Sequence, residues 1–482
     1  MLVGFLASGS LAAARTPDVE ARAKVSPGPA STGQIFEPAI AAGDAYAICL
    51  YYASGVGVQY AVYDFSTHQW EAEGDVDANV SSTNDPSIAF NSVTGEFVAA
   101  ARTGCSLLTT RFVPDPNAPN GYGTFDGWTE RASSCTQPAW DKPWLVAGEM
   151  TAQRQEFYII VKEGFNDPYW YFRSIDGGVH WSADKIYLGT NPDNVPQTST
   201  FGAQIAVLDG GAPYFTYYTD DSPPLIRILE GTDIDPADPN NYDPNDPADV
   251  GVRWAQVRGV VEAGDSPDGP ILPAPLSIPV HAVTHGTYIP GNVAGKSVPQ
   301  LALDPTNEDR MYLVYQDTVA ASGDGSTDVD VFLHVLERNG AARWDASARI
   351  RVNNDPNEAE SDQFIPSIAV DYAGYVNITF YDDRDFTQDD SASLGKFNLY
   401  FAWCPPDEVV FSYSPRNVER VANPAVTALD QTVYNVDPHE YNGIAWLGDD
   451  VVCTYTGTDP NAQTDPYKSV ISSSRVVWTG TP

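Results

Sequence analysis

An all-β chain closing into a ring of four-stranded blades is what this sequence predicts, on three observations. A two-strand phrase recurs along the chain, usually led by proline: a short apolar strand, a turn, then a strand rich in aromatic residues. Gly and Pro number 38 each, so turns are frequent, and no long stretch after the first residues carries a helical apolar period. Repeated four-strand units cannot bury both faces alone, whereas a closed ring of them can.

The copies run in order. The first is Pro38–Ala41 with Tyr46–Tyr52, the second Pro86–Phe90 with Glu96–Arg102, and the third Pro143–Ala147 with Phe157–Val161. Ala203–Val207 with Pro213–Tyr218 is the weakest. Pro299–Asp304 with Met311–Tyr315, Pro366–Asp371 with Tyr375–Tyr381, and Gly443–Trp446 with Val451–Tyr455 complete the set. Seven blades follow, with six or eight left open by the fourth copy. Third strands are read at Gln59–Tyr63, Val331–Val335, Asn398–Ala402 and Lys468–Ile471. Trp70, Trp128, Trp254, Trp344 and Trp478 recur near the turns that follow.

One turn is sharper than the rest. Ser174-Ile-Asp-Gly-Gly-Val-His-Trp181 lies between the alternating runs Tyr169–Arg173 and Lys185–Leu188. Gly supplies positive φ, and Asp folds its carboxylate back onto turn amides. Ser174, Asp176, Gly178 and Trp181 in this spacing resemble the Asp-box (BNR) hairpin of sialidase-like β-propellers, with His180 where that motif usually has Thr. Further phrases, Trp140-Asp-Lys-Pro-Trp-Leu-Val146, Phe380-Tyr-Asp-Asp-Arg-Asp385, Arg351–Asp355 and Glu440–Ala445, resemble exported bacterial Asp-box proteins of that superfamily. The resemblance spans residues 36–480 and implies a propeller that recognises or processes carbohydrate.

Composition bounds the partners. The 482 residues, 43% hydrophobic and 12% aromatic, are ample for a large core. A formal charge of −38, from 64 acidic and 26 basic residues, excludes nucleic acid as a partner class. Residues 1–14 read as the end of a secretory leader closing on Ala12-Ala13-Ala14, although a basic leading segment is missing. The expectation is a secreted or periplasmic protein without a transmembrane segment. Residues 15–35 read as a linker and 36–482 as one propeller domain, with insertions near 231–250 and 262–296. Five Cys are too few for a disulfide scaffold. Cys105 could pair with Cys135 and Cys404 with Cys453, while Cys49 reads as a buried thiol.

Propeller geometry says which residues converge. Loops leading into first strands and loops leaving second strands meet at one end of the channel. That gathers Asp141, Asp382, Arg384 and Tyr441 as catalytic candidates, and Lys142, Arg102, Asp383, His439 and Glu440 as binding candidates. A sialidase needs three arginines to clamp the substrate carboxylate, a Glu-activated Tyr and an Asp. Where the family places its first arginine this chain has Ile35-Phe-Glu-Pro38, so Glu37 opposes a carboxylate and true sialidase activity is not expected. A lyase using His439 or Tyr441 beside Arg384, or with the loop histidines His281 and His285, is an alternative, as is a glycosidase pairing Asp141 with Asp382 or Asp383. A non-catalytic scaffold that binds carbohydrate or protein is the other class. Asp233, Asp235 and Asp238 offer hard oxygens at the spacing calcium favours. No cofactor is otherwise required.

Overall fold

The computed structural model describes residues 16–19, 23–25, 35–133, 140–151, 154–163, 169–186, 200–207, 213–219, 225–233, 252–256, 277–279, 299–320, 327–339, 344–354, 361–382, 384, 398–405, 418–420, 442–448, 450–458 and 469–479. They form seven antiparallel sheets, each a blade of a β-propeller with a four-strand path running outward from the channel. The first strands of blades 1 to 7 are Ile35–Ala42, Asn84–Phe90, Trp140–Thr151, Thr200–Val207, Gln300–Leu303, Gln363–Val370 and Gly443–Leu447. The weak fourth copy is a full blade, so the count is seven. Among the described residues no helix is long and apolar enough to cross a membrane.

Inner strands are more deeply covered than outer ones, because both of their faces pack against neighbouring blades. Val376–Asp382 of blade 6 is buried at every position, whereas the outer strand Gln69–Asp75 of blade 1 alternates between exposed and half-buried. Separate apolar clusters fill the interfaces. Ile48, Leu50 and Val62 of blade 1 meet Phe97, Ala99 and Phe112 of blade 2. Tyr158 and Tyr171 of blade 3 meet Phe215 and Tyr217 of blade 4. A third cluster runs from Tyr214 and Tyr218 of blade 4 through blades 5 and 6 to Tyr455 of blade 7. Blade-to-blade hydrogen bonds add register: Trp140 Nε1 donates to Cys105 O at 2.9 Å, and Trp70 Nε1 to Ser473 Oγ at 2.8 Å.

The ring closes in a way the sequence analysis does not anticipate. Residues read as a linker supply the outer strand of blade 7. Thr16–Val19 pairs antiparallel with Thr479–Val476, and Ala23-Lys24 with Ser473-Ser472. Val25 follows at 0% exposure and packs with Ile35, Cys49 and Tyr51 of blade 1. Trp478 consequently lies within the third strand, opposite Pro17, rather than beyond it.

The Ser174–Trp181 turn joins the third and fourth strands of blade 3 at the end of the ring opposite the start of the first strands. Asp176 Oδ1 accepts from the amides of Val179 at 3.2 Å and His180 at 2.9 Å, and Ser174 Oγ accepts from Gly178 N at 2.9 Å. Trp181 Nε1 donates to Gly178 O at 3.0 Å. His180 Nδ1 lies 2.6 Å from Asp176 Oδ2, so the unusual His reinforces the same carboxylate. Gly177 and Gly178 have φ of 80° and 88°, and a Cβ on Gly178 would meet Val98 of blade 2 at 2.9 Å.

Cys49 and Cys453 are free, fully buried thiols whose pKa values burial raises. The Cys404–Cys453 pairing is therefore not formed: the two belong to different blades, and Cys453 lies inside the apolar interface. Cys135 lies outside the described residues.

Candidate functional site

Five of the seven first strands begin with a local irregularity. In blades 1, 2, 3, 4 and 6 the pairing of first to second strand slips by one residue, between Phe36/Ala39, Asn84/Ser87, Asp141/Trp144, Phe201/Gln204 and Phe364/Ser367. The residue at each bulge is left-handed: Glu37 at φ 58°, Asp85 at 50°, Lys142 at 53°, Gly202 at 61° and Ile365 at 51°. Four of the five precede a proline, which removes an amide donor from the ladder and suits a bulge. A left-handed non-glycine residue costs about 1–3 kcal/mol and persists only where its surroundings enforce it. The recurring proline was visible in the sequence; the backbone conformation before it was not.

These bulges stand around one mouth of a central channel of about 360 Å³, lined by the first strands of all seven blades. Below the mouth, polar side chains capture channel-facing amides of the next blade. Leu145 N donates to Ser87 Oγ at 2.9 Å, and Ile368 N to Gln300 Oε1 at 3.2 Å. Asn442 donates to Ile365 O at 2.8 Å and accepts from Thr379 Oγ1, tying blade 7 to blade 6.

On blades 1–3 the bulge residues form an ion network. Lys142 Nζ lies 3.0 Å from Glu37 Oε1 and 3.4 Å from Asp85 Oδ1. Arg102 Nε pairs with Asp85 Oδ2, and Arg102 Nη2 lies 3.5 Å from Asp141 Oδ1. The Glu37 and Asp85 side chains are 3% exposed, Asp141 32%. Burial alone would raise the Asp85 carboxyl, but the Lys142 and Arg102 charges outweigh it and hold the group well below the usual carboxylate range.

On blades 5 and 6 a second polar cluster faces the same end. Arg384 Nη2 reaches the buried Asp382 Oδ2 at 2.5 Å, Nη1 reaches Asn354 Oδ1 at 2.8 Å, and the guanidinium lies 4.5 Å from the Tyr400 ring centre. Arg351 pairs with Asp330 at 2.8 Å and Arg349 with Asp317 at 2.7 Å. Asn353 Nδ2 donates to Asp330 and Gln363, each at 2.6 Å. Asp362 accepts from Val329 N at 3.1 Å, and burial, followed by the nearby Asp330 and Asp382 charges, raises its carboxyl to about 7.

The predicted residues therefore divide. Asp141, Lys142 and Arg102 come together, joined by Glu37 and Asp85. Asp382 and Arg384 pair with each other on blade 6. Tyr441, Asp383, His439 and Glu440 lie outside the described residues, as do His281, His285, Asp235, Asp238 and the Asp233 side chain. No group of three or more His, Cys, Asp or Glu among the described residues is arranged to hold a metal ion. Sequence reasoning missed Asp330, Arg349 and Asp362, and named Asn353 only within the Arg351–Asp355 phrase. They come from separate strands and loops, and no local spacing marks them as neighbours.

Asp362 carries a pH prediction. A carboxyl raised in the folded state favours folding below its unfolded pKa and loses that contribution as pH rises through the folded value. Wild-type stability should thus fall, relative to Asp362→Asn, between about pH 4 and 7. Urea unfolding across that range reads the difference; parallel curves would refute a buried, proton-holding Asp362.

No family model matches the chain, and no curated protein matches it. Solved structures do. An α-L-arabinofuranosidase (GH93) of Fusarium graminearum in complex with arabinobiose is 12% identical, with 82% of this chain and 93% of that one covered and a TM-score of 0.42. An ulvan lyase of family PL25 bound to its saccharide is 10% identical, with 94% of each chain covered and a TM-score of 0.43. The phage phi92 endosialidase is 9% identical, covering 94% of this chain and 69% of that one, with a TM-score of 0.41. At such identities and TM-scores these likenesses carry no argument about the chemistry here.

Proposed function

We propose that this is an exported, sialidase-like propeller that recognises or processes carbohydrate at the bulged mouth of its channel, without true sialidase activity. The observation that carries the reading is the ring of left-handed bulges, which spends backbone strain to fix Glu37, Asp85 and Lys142 at one channel end. Strained backbone clusters at binding and reaction sites, which supports placing the site at this mouth. The turn at Ser174–Trp181 has the hydrogen bonding expected of an Asp-box, which supports the family reading. The place of the missing clamp arginine holds Glu37, engaged with Lys142, which supports the lack of sialidase activity. Export rests on the leader-like residues 1–14.

A second reading, a non-catalytic scaffold, is favoured by the pairing of mouth cations with mouth carboxylates, which leaves them tied to one another. A glycan array and a polysaccharide-depletion assay, with and without calcium, separate the readings. Binding with release of reducing ends or unsaturated uronates makes the protein an enzyme, and binding without release makes it a lectin-like scaffold. Absence of binding in every condition overturns the carbohydrate reading in favour of a protein partner. Loss of binding on calcium removal would support Asp233, Asp235 and Asp238 as a cation loop.

A further inference from the structure

We infer that the mouth on blades 1–3 selects glycans that carry no acid group and rejects uronate- and sialate-containing ones; this rests on the carbohydrate reading of the same mouth. The ion pairs described there join three carboxylates to two cations, and each of these cations is shared, with buried Lys162 opposite Asp141 on the second strand of blade 3. Lys142 bridges Glu37 and Asp85, and Arg102 bridges Asp85 and Asp141. The two most buried members are both carboxylates, and the most accessible member, Asp141, is a third. A ligand arriving from solvent therefore meets the acceptor-only oxygen pair of Asp141. Sugar hydroxyls can donate to that group. An anionic sugar must approach it against like charge, and the Arg102 guanidinium beside it already lies between Asp85 and Asp141.

The facing cluster has the same character. Arg384 is engaged by Asp382 and Asn354, Arg351 by Asp330 and Arg349 by Asp317, so these three guanidiniums also lie on carboxylates of the fold. The net charge of −38 extends the repulsion beyond the mouth and makes it sensitive to salt.

The test is binding of a neutral arabinan and of a polygalacturonate of matched length, by the wild-type chain and by Asp141→Asn. Asp141 is partly exposed, so its amide should fold, and the substitution removes the accessible charge while leaving Arg102 in place. The expected result is wild-type binding to the neutral glycan at least about tenfold tighter than to polygalacturonate, with that ratio falling about tenfold in Asp141→Asn. Raising salt should narrow the wild-type ratio as well. Equal wild-type affinity for both glycans, or a ratio that Asp141→Asn leaves unmoved, overturns the inference while leaving carbohydrate binding intact. Binding to neither, across the wider array, overturns the carbohydrate reading itself.

Discussion

A chain lacking residues 15–25 should lose on the order of 5 kcal/mol of stability and associate at the exposed edge of blade 7. The deletion removes the pairing of Thr16–Val19 with Val476–Thr479 and of Ala23-Lys24 with Ser472-Ser473. At a net of about 1 kcal/mol per hydrogen bond, those short ladders alone account for several kcal/mol. Val25, fully buried against Ile35, Cys49 and Tyr51, adds about 1.5–3 kcal/mol of lost burial. The third strand Ser469–Thr479 would then present a row of unpaired amides and carbonyls to a second copy. Thermal melts and sedimentation velocity measure both effects, and Val25→Ala, expected to cost about 2 kcal/mol, separates the core term from the ladder. A truncated chain that melts with the full chain and stays monomeric would show that the N-terminal strand does not close the ring.

That strand marks the limit of what the sequence reveals. The seven blades are legible because each one repeats a local pattern, apolar strand, turn, aromatic strand, and local periodicity survives in one dimension. The closing strand is not, because Thr-Pro-Asp-Val carries no alternation of its own and its partner lies at the other end of the chain. The same reason hides the blade 5–6 cluster: Asp330, Arg351 and Asp362 belong to separate segments and become neighbours only through the sheet. The mouth on blades 1–3 was half legible. Propeller geometry placed Asp141, Lys142 and Arg102 at one end, and the structure joins them. It also separates them from Arg384, since adjacency around a ring depends on blade number, which a list of loops does not carry. Glu37 was read as standing where a clamp arginine would, and neither it nor Asp85 as a buried partner of Lys142. That role follows from the left-handed backbone before each proline.

Replacing Lys142 with Ala should cost about 3–5 kcal/mol at neutral pH, because it withdraws the cation shared by two carboxylates that are almost wholly buried. Asp85 would retain Arg102, so the loss falls hardest on Glu37 and on the coupling between blades 1 and 3. The pH dependence has a definite sign. Asp85 is held below its unfolded value by Lys142 and Arg102 against the opposing effect of burial. A depressed carboxyl contributes stability above its unfolded pKa, about 3.9, and loses it as pH falls toward the folded value. The gap between wild type and Lys142→Ala should therefore be widest near neutrality and should close on acidification below about pH 4. Lys142→Met keeps the aliphatic stem and should lose nearly as much, which assigns the cost to charge rather than to packing. Adding Glu37→Gln to Lys142→Ala should restore part of the loss, since the amide removes the buried charge that the lysine had offset. A gap constant across pH, or a double variant weaker than the sum of its parts, would mean that the strained bulges hold Glu37 and Lys142 together for shape, and that the charges at this mouth are incidental to it.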